Sequence, residues 1–229
     1  MVQLYTAVGK YKLRKEPDGR KLPIISVGLN ECALTIEEML IWSTLIWNIM
    51  TEDELRKIYD KKALGAGISG DKFNITLKRL ISRNLVVSEK AISGDDALYK
   101  LLSNLYIVPV SSSLLTKIRA FIQLVVFQKV SFSLAKNVFL EDKLNDIQKK
   151  ILNLSKQTLL SSAEILKCIE NGVTDVSTRE KVLDALYDDD YSTCDNMGLF
   201  IKFYDNHREV MEAIATLYLR KNIVFDRLI

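Results

Sequence analysis

The sequence is poor in the side chains on which most catalysis and metal binding depend. Its 229 residues contain one histidine and three cysteines. Cys32, Cys168 and Cys194 are odd in number and widely dispersed, unlike the dense spacing of a secreted disulfide framework. Reduced thiols in a cytoplasmic protein are expected. Zinc sites want four Cys or His ligands in close pairs, which this set does not supply. His207, in Asp205-Asn206-His207-Arg208, reads as a surface histidine at a helix start. No nucleophile elbow, phosphate loop or zincin helix occurs. The chain therefore reads as a non-enzyme with no catalytic residue, metal or cofactor. The acidic run Asp188-Asp189-Asp190, with Cys194 and Asp195, lacks the central glycine and terminal glutamate of a calcium loop and reads as a solvated loop.

Long apolar runs are also missing. The greasiest stretch, Leu114 to Leu140, is broken by Lys117, Arg119, Gln123, Gln128, Lys129 and Lys136, whereas a membrane span needs about 20 mostly apolar residues. Met1-Val2-Gln3-Leu4-Tyr5 has neither the basic nor the apolar region of a secretory leader. No membrane partner is expected. Net charge is scarce as well, at +3 with a pI of about 8.6. That is too mild to prove a polyanionic partner, so what matters is whether the cations cluster on one face. The 48% hydrophobic and 27% charged residues match an average globular chain and argue against disorder.

What is present is mainly helical with small β elements. Leu4–Leu13 and Leu22–Leu29 around the turn signal Pro17-Asp18-Gly19 predict an N-terminal hairpin. It is dense in cations: Lys10, Lys12, Arg14, Lys15, Arg20 and Lys21. Two readings stand side by side, a solvated edge protected by lysines and a phosphate-contacting arm. Four segments fit the capping box, in which a hydroxyl and a carboxylate three residues on satisfy each other's backbone amides. They begin at Thr35, Thr51, Ser161 and Ser177. Helices are predicted over Thr35–Met50, apolar nearly all round, over Thr51 to about Lys62, and over about Asp71 to Arg83. The glycine-rich Gly65-Ala66-Gly67-Ile68-Ser69-Gly70 lies between two helices and reads as a turn, not a dinucleotide cradle. Leu85-Val86-Val87 predicts a strand, Ser93-Gly94-Asp95 a turn, and Leu105–Val110 a second strand. Buried helices are expected in Ser111–Leu140. Further helices are expected over Leu144–Thr158, Ser161–Glu170, Ser177–Tyr187 and Asn206–Lys221, with a short strand at Ile223-Val224-Phe225. Helix, capped helix, loop, helix recurs faintly from Leu144 to Tyr187.

Three helices followed by a β-hairpin over Thr35–Val110 resembles the winged helix-turn-helix of many bacterial transcription regulators. The division implied is a hairpin at 1–34, a winged helix at 35–110 and a helical dimerisation or signal-input region at 111–229, with a second, degenerate winged helix over 144–229 as the alternative. The resemblance implies binding of double-stranded DNA by the helix 71–83 in the major groove. If Phe73, Leu77, Leu80 and Ile81 face inward, then Lys72, Asn74, Ile75, Thr76, Lys78 and Arg79 face outward. Asn74, Lys78 and Arg79 have donors for base edges, Lys72 and Thr76 suit phosphates or bases, and Ile75 suits a thymine methyl. Lys90 is the one cation expected in the wing, among Glu89, Asp95 and Asp96. Such regulators pair as homodimers. Apolar faces for pairing are Leu114, Leu115, Ile118, Phe121, Ile122, Val125 and Val126, and in the last helix Val210, Ile214, Leu217 and Leu219. The alternatives are a winged-helix assembly factor that touches no DNA and a mobile-element replication protein. Neither an operator nor a small-molecule effector is legible.

Overall fold

Gly9 decides how the chain begins. Its φ is +94°, and a Cβ there would lie 2.6–2.7 Å from Val27, Ile25 and the Ser26 carbonyl, so only glycine fits. In the computed structural model, which describes residues 1–17, 19–68, 70–110, 143–188, 191–193 and 196–227, the stretch predicted as one strand over Leu4–Leu13 therefore breaks in two. β1 (Val2–Ala7) pairs antiparallel with β5 (Val86–Ala91). β2 (Lys10–Lys15) turns away to pair with β3 (Lys21–Val27), which pairs in turn with β4 (Asn30–Ala33).

The first helix, α1 (Ile36–Leu45), opens with the Thr35–Glu38 capping box. It stops five residues short of the expected Met50. Ile46 is extended, Trp47 takes φ +59°, and Met50 lies flat beside β1, exchanging backbone hydrogen bonds with Tyr5 at 2.8 and 3.1 Å. Sheet pairing outweighs helix propensity there. α2 (Glu52–Gly65) opens with the Thr51–Glu54 box and runs past Lys62. A 3₁₀ turn, Gly70–Lys72, leads into α3 (Phe73–Ser82).

After β5 the structure departs from the expected wing. Ser93 caps a helix, α4 (Gly94–Ser103), accepting from the Asp96 amide. No hairpin joins β5 to β6 (Tyr106–Pro109), because β6 pairs with β7 (Leu160–Ser161) and β8 (Ile223–Asp226) instead. Between these strands come α5 (Asp146–Gln157), α6 (Ser162–Glu170), α7 (Arg179–Leu186), α8 (Met197–Phe200), a 3₁₀ turn and α9 (His207–Leu219). α7 is capped by Thr178, one residue after the expected Ser177, through the Lys181 amide. Cys32 and Cys168 are free thiols. The buried helices expected in Ser111–Leu140, and the apolar face Leu114–Val126, lie outside the described residues, as do Cys194 and Asp195. No described helix is long and apolar enough to cross a membrane.

The chain repeats one plan twice. In the first unit, β1 is the middle strand, flanked by Met50 after α1 and by β5 after α3, all antiparallel. In the second, β6 is the middle strand, flanked by β7 after α5 and by β8 after α9, again antiparallel. The helix ends repeat too. α5 opens with an Asn145–Gln148 box where α1 has Thr35–Glu38, and α6 with Ser161–Glu164 where α2 has Thr51–Glu54. α2 and α6 end on Gly67 (φ +68°) and Gly172 (φ +67°), followed by Ile68 donating to the Ala63 carbonyl and Val173 to that of Cys168. Past α3 and α9, Asn84 (φ +56°) and Lys221 (φ +63°) make the same left-handed turn. Leu85 then donates to Leu80 and Asn222 to Leu217. The third helix of the second unit is thus α9, not the segment 177–187.

One continuous core joins the two units. The Tyr218 ring of α9 lies 4.3 Å from that of Phe225, and the Gly9 amide donates to the Phe225 carbonyl at 2.8 Å. Val210, Ile214 and Leu217, expected as a pairing face, are buried inside the chain, while Leu219 is exposed. The apolar side of α9 is consumed by its own core.

Candidate nucleic-acid interface

α3 is fixed from its inner side. Phe73, Leu77 and Leu80 are buried, with Phe73 tilted against Tyr59 of α2 at 5.2 Å and covered by the Arg56 guanidinium at 5.5 Å. Ile81, expected inward, is half-buried. At 3.6 residues per turn, Lys72, Thr76 and Arg83 share a second stripe, and it is turned to α1. Lys72 pairs with Glu37 at 3.1 Å and Arg83 with Glu38 at 2.8 Å. Thr76 is buried between them, so its expected outward role is corrected: α1 covers it.

The opposite stripe is open. Ile75, Lys78, Arg79 and Ser82 follow the spacing i, i+3, i+4, i+7 and are all exposed, Ile75 by 64%. Asn74 flanks them and accepts from Arg56 at 3.5 Å. Among the described residues the Lys78 ammonium and the Arg79 guanidinium have no side-chain partner, while the Ser82 hydroxyl donates to the Arg79 carbonyl at 2.9 Å. Ser82 was not among the expected outward residues, although the period starting at Ile75 reaches it. Lys90 is exposed on β5 opposite Gln3, not in a wing.

The second unit serves as an internal control. Leu80 corresponds to Leu217 and Arg83 to Arg220, so Phe73, Leu77 and Leu80 match Val210, Ile214 and Leu217, all buried. The other face differs. Ile75, Lys78, Arg79 and Ser82 correspond to Glu212, Ala215, Thr216 and Leu219, of which Ala215 is buried and Thr216 half-buried. The two units share the inner stripe, whereas the face that α3 leaves open is partly covered on α9.

Electrostatics nearby are local. The Glu37 carboxyl is held below its usual range first by its own backbone amide and then by Lys72. Burial alone would lower the Arg83 guanidinium, but Glu38 more than offsets it and raises the group. His207 is half-buried, contrary to a free surface position. Its Nδ1 lies 2.7 Å from the Tyr204 carbonyl and its ring stands edge-on to Tyr99 at 5.9 Å. Among the described residues no three Cys, His, Asp or Glu side chains converge as a metal site.

A separate apolar groove of about 850 Å³ opens between α1 and the base of β2, lined chiefly by Tyr11, Pro23, Met39, Trp42, Ile46 and Trp47. Both indoles are pinned from behind, Trp42 donating to the Val8 carbonyl at 3.1 Å and Trp47 to that of Ile223 at 3.2 Å. No family model matches the chain, and neither a curated protein nor a solved structure resembles it significantly.

Proposed function

We propose that this protein is a DNA-binding transcription regulator whose first unit works as a wingless helix-turn-helix with α3 in the major groove. The observation that carries the reading is the open stripe of α3, where Ile75, Lys78 and Arg79 are exposed while Phe73, Leu77 and Leu80 are buried. Two adjacent exposed cations on a helix whose inner face is packed suit base edges and phosphates. The exposed Ile75 between them suits a thymine methyl. β1, β5 and Met50 supply the small sheet behind the three helices. With α4 following β5, the reading does without a wing, and Lys90 contributes at most a flanking phosphate contact.

The test is the double variant Lys78→Ala, Arg79→Ala. It should keep the wild-type melting temperature and lose about 1–3 kcal/mol of duplex affinity for each base contact removed. If the wild type shows no salt-dependent retention on duplex DNA at low ionic strength, the regulator reading falls and a winged-helix assembly factor replaces it. A second reading, a mobile-element replication protein, is favoured by one observation, the recurrence of the plan in tandem. It requires protection of several directly repeated sites in a footprint, whereas a dimeric regulator protects two half-sites one helical turn apart. The α9 face being consumed internally, a homodimer would have to form through another surface.

A further inference from the structure

We infer that the β2–β3 hairpin is a second nucleic-acid contact, an arm that grips the phosphate backbone of duplex DNA beside α3. The inference rests on the duplex-DNA reading above. Its first support is charge. Residues 10–21 carry six cations and two carboxylates, a net +4 that exceeds the +3 of the entire chain. The hairpin holds more than the whole excess, the rest of the chain being net −1.

The second support is exposure. All six residues of β2 are exposed, on both faces of the strand. Lys10, Lys12 and Arg14 form a ladder on one face, alternate residues being about 6.8 Å apart. Tyr11, Leu13 and Lys15 form the other. Lys12 and Arg14 are partly neutralised by Glu31 at 3.7 and 3.4 Å, and Arg14 also by Glu16 at 3.0 Å. Lys10 and Lys15 have no partner among the described residues.

The third support is anchorage. β4, which carries Glu31, is tied to the end of α3, where Arg83 donates to the Ala33 carbonyl at 2.7 Å while pairing with Glu38. The arm is thereby fixed to the same helix whose outer stripe carries Lys78 and Arg79. A polyanion presenting regularly spaced phosphates matches this ladder.

The experiment compares the wild type, Lys10→Gln/Lys12→Gln and Lys78→Ala/Arg79→Ala on a random-sequence duplex across a salt series, by fluorescence anisotropy. Each phosphate contact contributes about 0.9 to the slope of log affinity against log salt. The hairpin variant should keep its melting temperature, lose about 1.8 from that slope, and weaken on every sequence alike. An unchanged slope in a wild type that binds duplex overturns the arm and leaves α3 standing. A slope lost in the hairpin variant but intact in the α3 variant supports the arm and removes α3. A wild type that ignores duplex but binds phosphatidylserine vesicles overturns both.

Discussion

The hydroxyl of Tyr218 lies 2.9 Å from that of Thr6, although 212 residues separate them, and both are fully buried. Around this pair the two units are stitched together. Thr6 also reaches the Asn48 carbonyl at 2.9 Å, and the Tyr218 hydroxyl is 3.2 Å from the carbonyls of Ala7 and Leu45. Burial holds the Tyr218 phenol at about 12 despite the hydrogen bond from Thr6, so it remains a neutral donor.

Removing that hydroxyl strands its partners without opening a large cavity. Tyr218→Phe should lower stability by about 1–3 kcal/mol in urea titration, the cost of leaving buried polar groups unpaired. A double variant with Thr6→Val should cost less than the two single changes summed, because both remove one network. Additive losses would mean that the pair is not coupled.

Gly9 offers a sharper test of the backbone. Gly9→Ala puts a methyl group against Val27, Ile25 and the Ser26 carbonyl at a φ that alanine resists. A loss of more than about 1 kcal/mol is expected, read as a fall in melting temperature. Gly19→Ala, with nothing within 4 Å of the added carbon, should cost less despite a comparable φ of +82°. Equal losses would show that conformation alone, not the packing of the hairpin base, sets the cost.

Acid should unfold the protein by protonating exposed carboxylates held low in the native state. Glu54 is held down by the Thr51 amide and hydroxyl, Asp96 by Lys202 and Ser93, and Asp175 by Lys181 and Ser177. A depressed native pKa contributes stability above the unfolded value, about 4, and that stability is lost as pH falls through the native values. Denaturation midpoints should therefore be level from about pH 5 to 7 and drop below pH 4. Asp175→Asn should make the drop shallower. A drop beginning above pH 6 would implicate some other group.

The helix ends were the most legible part of this sequence, because a capping box is written in four consecutive residues. Thr35, Thr51 and Ser161 cap as read. The inward stripe of α3 was legible through its period, and Lys78 and Arg79 follow from it on the other side. Thr76 was misplaced because a single-helix wheel has one inside, whereas α3 has two neighbours, and the second, α1, is invisible to a wheel. α4 was missed because Ser93-Gly94-Asp95 carries both a turn signal and a helix cap. Ala97, Leu101 and Leu102 at helical spacing settle which one wins. Strand partners were least legible. Nothing local to Val2–Ala7 says that it will lie against residues 86–91.

The sheets built around β1 and β6 each have their earliest-made strand at the centre. A ribosome releases β1 long before β5 exists, and Ala7 must wait for Val86 to close the far side of its ladder. The same delay recurs between Tyr106 and Asp226. Neither sheet can assemble vectorially behind the growing chain, and a nascent fragment ending before Leu85 shows one edge of β1 bare. Synthesis itself thus creates two successive windows of aggregation risk, in which holdase chaperones have their strongest claim on this polypeptide.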